Sequence, residues 1–132
     1  MTLYALPHVA DFVPGDDTLP RLDDIANSTP VVLRKRIGRY LAEAPCVVAT
    51  TAREDPRDPD RGPVIAFSVM TDGEWVWPQY WAYLVSVYGA DLPEAFVEHM
   101  RARDFDPPRL TTQQLVEIDD ERADAVVVPI GG

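Results

Sequence analysis

Apolar positions in the first half of the chain follow two spacings, which predict a helix and then a strand. Between Pro30 and Pro45 they recur every three or four residues, as on one face of a helix. The residues on that face are Leu33, Ile37, Tyr40 and Leu41. Thr29 has the chemistry of an N-cap and Pro30 suits the first helical position, while Pro45 ends the helix. The following run 46-CVVATT-51 is apolar and β-branched, which predicts a buried strand.

The middle of the chain predicts a hairpin that leads into a helix. The Asp-Gly pair at 72–73 lies between two apolar, β-prone runs, 64–70 and 74–77, and this arrangement is typical of a tight antiparallel turn. Pro78 ends the second strand and suits the start of a helix, and Gly89 is a C-cap residue for that helix. The apolar stripe of the helix contains Trp81, Leu84, Val85 and Tyr88.

Two further helices are predicted after Gly89. Asp91 and Glu94 have the spacing of a capping box for a helix whose apolar stripe contains Phe96, Val97 and Met100. Thr111 or Thr112 caps another helix, over 113–120, with Leu115 and Ile118 facing inward.

Short strands are expected near both ends of the chain. Residues 3–6 have the character of an edge strand, and residues 125–128 are consecutive apolar residues before a proline. The chain has no internal repeat, and its length fits one domain over residues 1–132. The predicted fold class is α+β, with a small, mainly antiparallel sheet and about four helices packed on it.

All three tryptophans lie within residues 72–89. Trp75 and Trp77 share one face of a predicted strand, and Trp81 lies one turn into the next helix. Large rings on apolar stripes face inward, so Trp75 and Trp81 are expected in the core. Trp77 and Tyr80 flank the turn between strand and helix and are expected to reach the surface. Aromatic anchors within a charged rim are typical of protein interfaces.

The charge of the chain limits its partners. The net charge is −10 and the sequence pI is about 4.4. Such a surface repels phosphate backbones and anionic lipids, so neither nucleic acid nor membrane binding is expected. It attracts a basic protein, of which a toxin domain is one example. The N-terminus lacks the features of a secretory signal, and the single Cys46 cannot form an internal disulfide, so a cytoplasmic location is expected.

Sequence patterns of catalysis are missing from the chain. It has no phosphate-binding glycine motif, no nucleophile elbow and no zinc-protease motif. Cys46, His8 and His99 are too few for a structural zinc site. No catalytic residue, metal site or cofactor is therefore predicted. His99 is the best candidate base, but its neighbour Glu98 does not face it on a helix, so a half-exposed surface residue is expected.

Clustered acids are the candidate partner-binding residues. Three lie in the polar loop 53–63, where arginines alternate with them, so a solvated, self-neutralised loop is the alternative interpretation. Three more lie at the end of the last predicted helix, where the helix dipole disfavours negative charge. The full set of predicted partner-binding residues is Asp55, Asp58, Asp60, Trp77, Tyr80, Asp119, Asp120 and Glu121.

The segment 71–103 resembles small actinobacterial proteins, some of them of the immunity type that protects a bacterium from its own polymorphic toxin. The shared pattern is DGxWVWP, then an aromatic helix, then LPExFxxH, and it covers about a quarter of the chain. The matching residues are Asp72, Gly73, Trp75–Pro78, Tyr83, Leu92–Glu94, Phe96 and His99. The resemblance implies toxin neutralisation, with the partner recognised by acidic segments outside the pattern. It carries over no catalytic residue.

The functional prediction is a binding protein that inhibits a cognate toxin, or another basic effector, by occlusion. Two alternatives remain open at this point. One is a small enzyme with a dispersed site around His99, and the other is a structural or regulatory subunit with exposed aromatic residues as its docking face. The oligomeric state is not predicted by the sequence.

Overall fold

The computed structural model describes residues 2–130, and over these residues it confirms the α+β class. The helices are α1 Leu22–Ile25, α2 Val31–Glu43, α3 Tyr80–Tyr88, α4 Glu94–Ala102 and α5 Thr112–Glu121. The strands are β1 Tyr4–Ala5, β2 Cys46–Val48, β3 Ala52–Arg53, β4 Ile65–Ala66, β5 Val69–Thr71, β6 Trp75–Pro78 and β7 Val126–Val127. Short 3₁₀ helices cover Pro59–Arg61 and Arg122–Asp124.

The main sheet has the strand order β2-β5-β6-β1-β7, and β3 pairs with β4 separately. The predicted hairpin is confirmed, because β5 and β6 are antiparallel around the Asp-Gly turn, with Met70 opposite Trp77. The antiparallel part continues to β2. The other end of the sheet is parallel, since β1 lies between β6 and β7 and runs in the direction of both. The mixed sheet thus joins the two ends of the chain.

Helices lie on both faces of this sheet. Trp75 and Trp77 of β6 belong to the main core, which they share with residues of α2 and α4 such as Tyr40 and Phe96. Val76 points to the opposite face, where it packs with Leu3 and with Ile118 of α5. The central strand β6 is therefore buried on both faces.

The predicted exposure of Trp77 and Tyr80 is wrong. Trp77 is 1% exposed because it lies on the central strand, and its Nε1–H donates to the backbone carbonyl of Leu41 at 3.1 Å. Tyr80 is 0% exposed, and its hydroxyl accepts a hydrogen bond from the N–H of Val9 at 3.0 Å. The N-terminal segment covers Tyr80, and local sequence does not reveal this long-range contact.

Two predicted strands differ from the observed ones. The run 64–70 is divided into β4 and β5, and between them the buried hydroxyl of Ser68 accepts a hydrogen bond from the N–H of Thr50. Residues 46–51 contain only β2 and a connection to β3, and Cys46 is exposed. The reason is that β2 forms one edge of the sheet, whereas its composition suggested a buried strand.

Helix termini were predicted with mixed success. Thr111 caps α5 in a capping box with Gln114, and Gly89 ends α3 in the left-handed conformation, as predicted. Thr29 is not the N-cap of α2, because its hydroxyl donates to the carbonyl of Ala90 at 2.6 Å. The expected capping box of Asp91 is also missing, since α4 begins after Pro93 without a side-chain cap.

Candidate functional site

An apolar groove lies on the sheet face that carries α5. The helix covers one end of this face, where Ile118 packs on Leu3 and Val76. The rest of the face opens into a groove of about 270 Å³, whose floor is formed by Ala5, Val69, Val76 and Val127. The register explains this floor, because Ala5 pairs with both Val76 and Val127 and alternate residues face opposite sides. The name "the groove" refers below to this floor and its rim.

His8 and Arg122 supply polar groups at the rim of the groove. His8 is exposed as a whole, but its Nδ1 lies 2.9 Å from the hydroxyl of Tyr80. Desolvation of the ring lowers the pKa of His8, which favours the neutral imidazole. The indole N–H of Trp81 donates to the carbonyl of Pro7 at 2.9 Å, so the rim segment is fixed on α3.

Strand β7 is an open edge beside the groove. Val126 and Val128 donate their N–H groups to the carbonyls of Leu3 and Ala5, each at 2.9 Å. Because backbone groups alternate along a strand, the N–H and carbonyl of Val127 point away from the sheet. The strand carries no charge, and Val127 is 58% exposed. Edge strands usually carry charges or covers that prevent pairing with another chain, and β7 lacks such a charge.

Exposed acids lead directly into this edge strand. Asp119, Asp120 and Glu121 end α5, and the 3₁₀ turn that contains Asp124 follows and connects to β7. Asp119 pairs with Arg122 at 2.7 Å. In the described part of the chain Asp120, Glu121 and Asp124 take part in no ion pair. The three predicted acids at the helix end are thus exposed in the segment that joins α5 to the edge beside the groove.

The other predicted acids lie elsewhere. Asp55 is completely buried, so its predicted role as a partner-facing residue is wrong. Asp58 pairs with Arg61 at 2.7 Å, which confirms local neutralisation at this position. Asp60 is exposed, and neither Asp58 nor Asp60 lines the groove.

Asp55 holds the loop 53–63 on α3. Its Oδ2 accepts hydrogen bonds from the hydroxyls of Tyr83 at 2.8 Å and Tyr88 at 2.5 Å, and its Oδ1 accepts one from the N–H of Arg57 at 2.9 Å. Burial acts to raise the pKa of Asp55, but these hydrogen bonds outweigh it and the pKa lies below its ordinary value. The carboxylate is therefore a structural anchor.

His99 contacts a buried carboxylate that the sequence did not suggest. Its Nε2 lies 2.8 Å from Oδ2 of Asp72, and the His99 side chain is 18% exposed. The same Oδ2 accepts a 2.6 Å hydrogen bond from the Tyr40 hydroxyl. Oδ1 of Asp72 accepts the N–H groups of Glu74 and Trp75 at 3.0 and 2.8 Å. Asp72 therefore joins the hairpin turn to both α2 and α4.

An Asp-His contact also orients the catalytic base in many hydrolases. Whether His99 is placed to act as a base depends on what its second ring nitrogen contacts. The second ring nitrogen of His99, Nδ1, lies 3.6 Å from Oε2 of Glu74, which Arg103 holds at 2.8 Å. The imidazole also packs nearly parallel to the ring of Phe96, with centroids 6.3 Å apart. Both nitrogens face carboxylates, and the groove lies on the other face of the sheet. The geometry supports a structural role for His99.

The chain matches no protein-family model, no curated protein and no solved structure. Within residues 2–130, no helix is long and apolar enough to cross a membrane. The same residues contain no group of three or more His, Cys, Asp or Glu side chains placed to hold a metal ion. The functional inference therefore depends on the surface chemistry of the chain itself.

Proposed function

We propose that this chain is a binding protein that captures a basic protein partner and inhibits it by occlusion. One observation carries the proposal: the groove and the open edge strand are joined, through Arg122 and β7, to the exposed acids Asp120, Glu121 and Asp124, which are called the acidic helix end below. An apolar centre with a charged rim is the usual composition of a specific protein interface. The net charge of −10 selects a basic partner over an acidic one.

The available surface is large enough for such an interface. A standard interface buries about 800 Å² on each partner. The described chain exposes 7448 Å², so one interface would occupy roughly a tenth of it, as in other small proteins. The carboxylates accelerate capture by long-range attraction, while the apolar groove contributes the short-range binding energy.

Within this class, we propose an immunity protein that neutralises a bacterial toxin in the cytoplasm. The resemblance of segment 71–103 supports this type. Three of its four Trp, Tyr and Phe members, Trp75, Trp77 and Phe96, are buried, so the shared pattern contributes to the core. Recognition of a particular toxin is then assigned to surfaces outside the pattern, which agrees with the position of the acidic helix end.

Binding to an immobilised copy of the chain tests this proposal. Proteins captured from a lysate of the source organism are eluted in salt steps and identified by mass spectrometry. One stoichiometric basic protein, released as the salt concentration rises, is the expected result, because the attraction between exposed charges is screened by salt. Retention of no such protein, or of acidic proteins only, would contradict the proposal.

A second candidate function is a small enzyme in which His99 acts as a base that Asp72 orients. The 2.8 Å contact between these side chains and the partial exposure of His99 favour it. His99→Gln would then abolish an activity found in a substrate screen under conditions in which the variant, expected to be less stable by roughly 1–3 kcal/mol, is still folded. If the variant retains that activity, the His99 site has no catalytic role.

A further inference from the structure

We propose that β7 and the groove are the docking site for one extended segment of a basic protein. The segment pairs with β7 as an additional strand, places an apolar side chain in the groove, and directs basic side chains to the acidic helix end. This inference rests on the proposed function and specifies how the partner is held.

The backbone of β7 favours strand addition. Both neighbours of Val127 donate inward to β1, so the outward N–H and carbonyl of Val127 are positioned for a further strand. The strand is only two residues long, and Pro129 shortly after it has no N–H to donate. Main-chain hydrogen bonds are therefore few, and side-chain anchoring must provide much of the affinity.

The groove suits a single anchor side chain. Its volume of about 270 Å³ lies below the roughly 300–1,000 Å³ of pockets that enclose whole drug-sized ligands. A strand added beside β7 lies about 4.8 Å away, and alternate residues of it face the side of the sheet on which Val127 lines the groove. An aliphatic or aromatic residue opposite Val127 therefore lies within reach of the apolar floor.

Charge selects a basic partner over a second copy of this chain. Two copies that pair through β7 bring together two chains that each have a net charge of −10 and exposed acids at Asp120, Glu121 and Asp124. Like charges at an interface oppose association. Lysine or arginine residues that flank the apolar anchor instead meet these exposed acids. Because alternate residues of a strand face opposite sides and α5 lies on the groove side, the expected segment carries its basic residues two positions from the apolar anchor, on the same face.

A pair of synthetic peptides tests this docking site on the full chain. One peptide has a central leucine with a lysine two positions away on each side and valine between them, and its control has glutamate in place of each lysine. With the lysine peptide, nuclear magnetic resonance should show saturable shifts of the Val69, Val76 and Val127 methyl groups and slower amide exchange at Val127. The glutamate peptide should cause neither change.

The proposal would be overturned by equal effects of both peptides, by shifts confined to the opposite edge at β2, or by the absence of a saturable shift. Self-association of the chain through β7, detected by sedimentation, would also overturn it because the occupant would then be a second copy.

Two matched variants strengthen the test. Val127→Arg places a cation at the groove. Val116→Arg makes the same change on α5 at a valine of similar exposure, since Val116 is 56% exposed and Val127 is 58% exposed. We expect Val127→Arg to weaken binding of the lysine peptide about tenfold or more, because the new cation repels lysine and part of the apolar floor is lost. Val116→Arg should leave binding nearly unchanged. Equal effects of the two variants would overturn the docking site.

Failure of the docking site and failure of the proposed function are distinguishable. If a basic protein is captured from lysate but binds the Val127→Arg and Val116→Arg chains equally, the docking site is wrong and the proposed function stands. If the lysine peptide binds at β7 but no basic protein is captured, the proposed function is wrong and the docking surface stands.

Discussion

The hydroxyl of Tyr40 donates a 2.6 Å hydrogen bond to the buried carboxylate of Asp72, which connects α2 to the hairpin turn. Asp72 also accepts hydrogen bonds from two backbone N–H groups and contacts His99, so both of its oxygens are engaged. A buried charge is tolerated when it is fully hydrogen-bonded in this way. Removal of the Tyr40 hydroxyl should therefore lower the stability of the fold.

Tyr40→Phe should lower the free energy of unfolding by about 1–3 kcal/mol, because it removes one hydrogen bond from a buried carboxylate and leaves the ring contacts in place. Urea denaturation measures this change. Tyr4→Phe is the control, since Tyr4 is exposed and its hydroxyl should contribute little. A Tyr40→Phe variant as stable as the native chain would show that the contact contributes nothing to stability.

His99→Gln should loosen α4 from the hairpin, because it replaces the ring that contacts Asp72 and packs against Phe96. Hydrogen exchange of the α4 amides should become faster, and stability should fall by roughly 1–3 kcal/mol. Glu98→Gln changes an exposed neighbour on the same helix and should stay within about 0.5 kcal/mol. If the α4 amides exchange at the same rate in both variants, His99 does not stabilise the packing of the helix.

The Asp55 anchor predicts acid sensitivity. The folded pKa of Asp55 is below its ordinary value, so the native state binds fewer protons than the unfolded state near that pH. Its stabilisation is present above about pH 4, the ordinary carboxyl value, and is lost as the pH falls through the folded pKa. The difference in unfolding free energy between the native chain and Asp55→Asn should therefore shrink on acidification. A difference that does not change with pH would contradict this assignment.

The same cluster predicts alkaline sensitivity. Burial and the hydrogen bonds to Asp55 raise the pKa of Tyr83 and of Tyr88. The stabilisation from their neutral hydroxyls is present below about pH 10, the ordinary tyrosine value, and is lost as the pH rises through the folded values. As the pH rises above that value, the free energy of unfolding should fall less for a Tyr83→Phe, Tyr88→Phe double variant than for the native chain. Equal losses in denaturation experiments would refute the prediction.

Neutralising the acidic helix end should slow capture of the partner. The variant Asp120→Asn, Glu121→Gln, Asp124→Asn should have a lower association rate and a flatter salt dependence, with a smaller effect on dissociation. Stopped-flow or surface-binding kinetics measure these rates. The matched control makes the same number of changes around α4, on the other side of the sheet, at Asp91, Glu94 and Glu98. Equal slowing by both variants would indicate an effect of net charge alone.

Patterns between near neighbours in sequence predicted much of the fold. The Asp-Gly hairpin, the inward face of α2, the Gly89 terminus and the Thr111 cap all depend on residues within a few positions of one another. The position of β1 between β6 and β7 depends on how the two ends of the chain meet, which no local pattern records. The parallel end of the sheet was therefore not predicted.

The candidate site was only partly predictable for the same reason. Asp119, Asp120 and Glu121 are predictable as partner-binding candidates because negative charge is unfavourable at a helix C-terminus, and they are exposed at the start of the connection to β7. The groove combines strands distant in sequence, so no motif indicates it. Asp55 lies in a loop whose polar composition indicates exposure to solvent. Only its hydrogen bonds to two tyrosines distant in sequence explain its burial. A carboxylate in a polar loop can thus be a core anchor.

The most direct measurement is a titration of the captured basic protein's own activity with this chain, at low salt. Inhibition by occlusion predicts that the activity falls in proportion to added chain and is lost at a stoichiometric ratio. It also predicts that the variant neutralised at Asp120, Glu121 and Asp124 inhibits more slowly. Full activity in the presence of excess bound chain would contradict inhibition by occlusion.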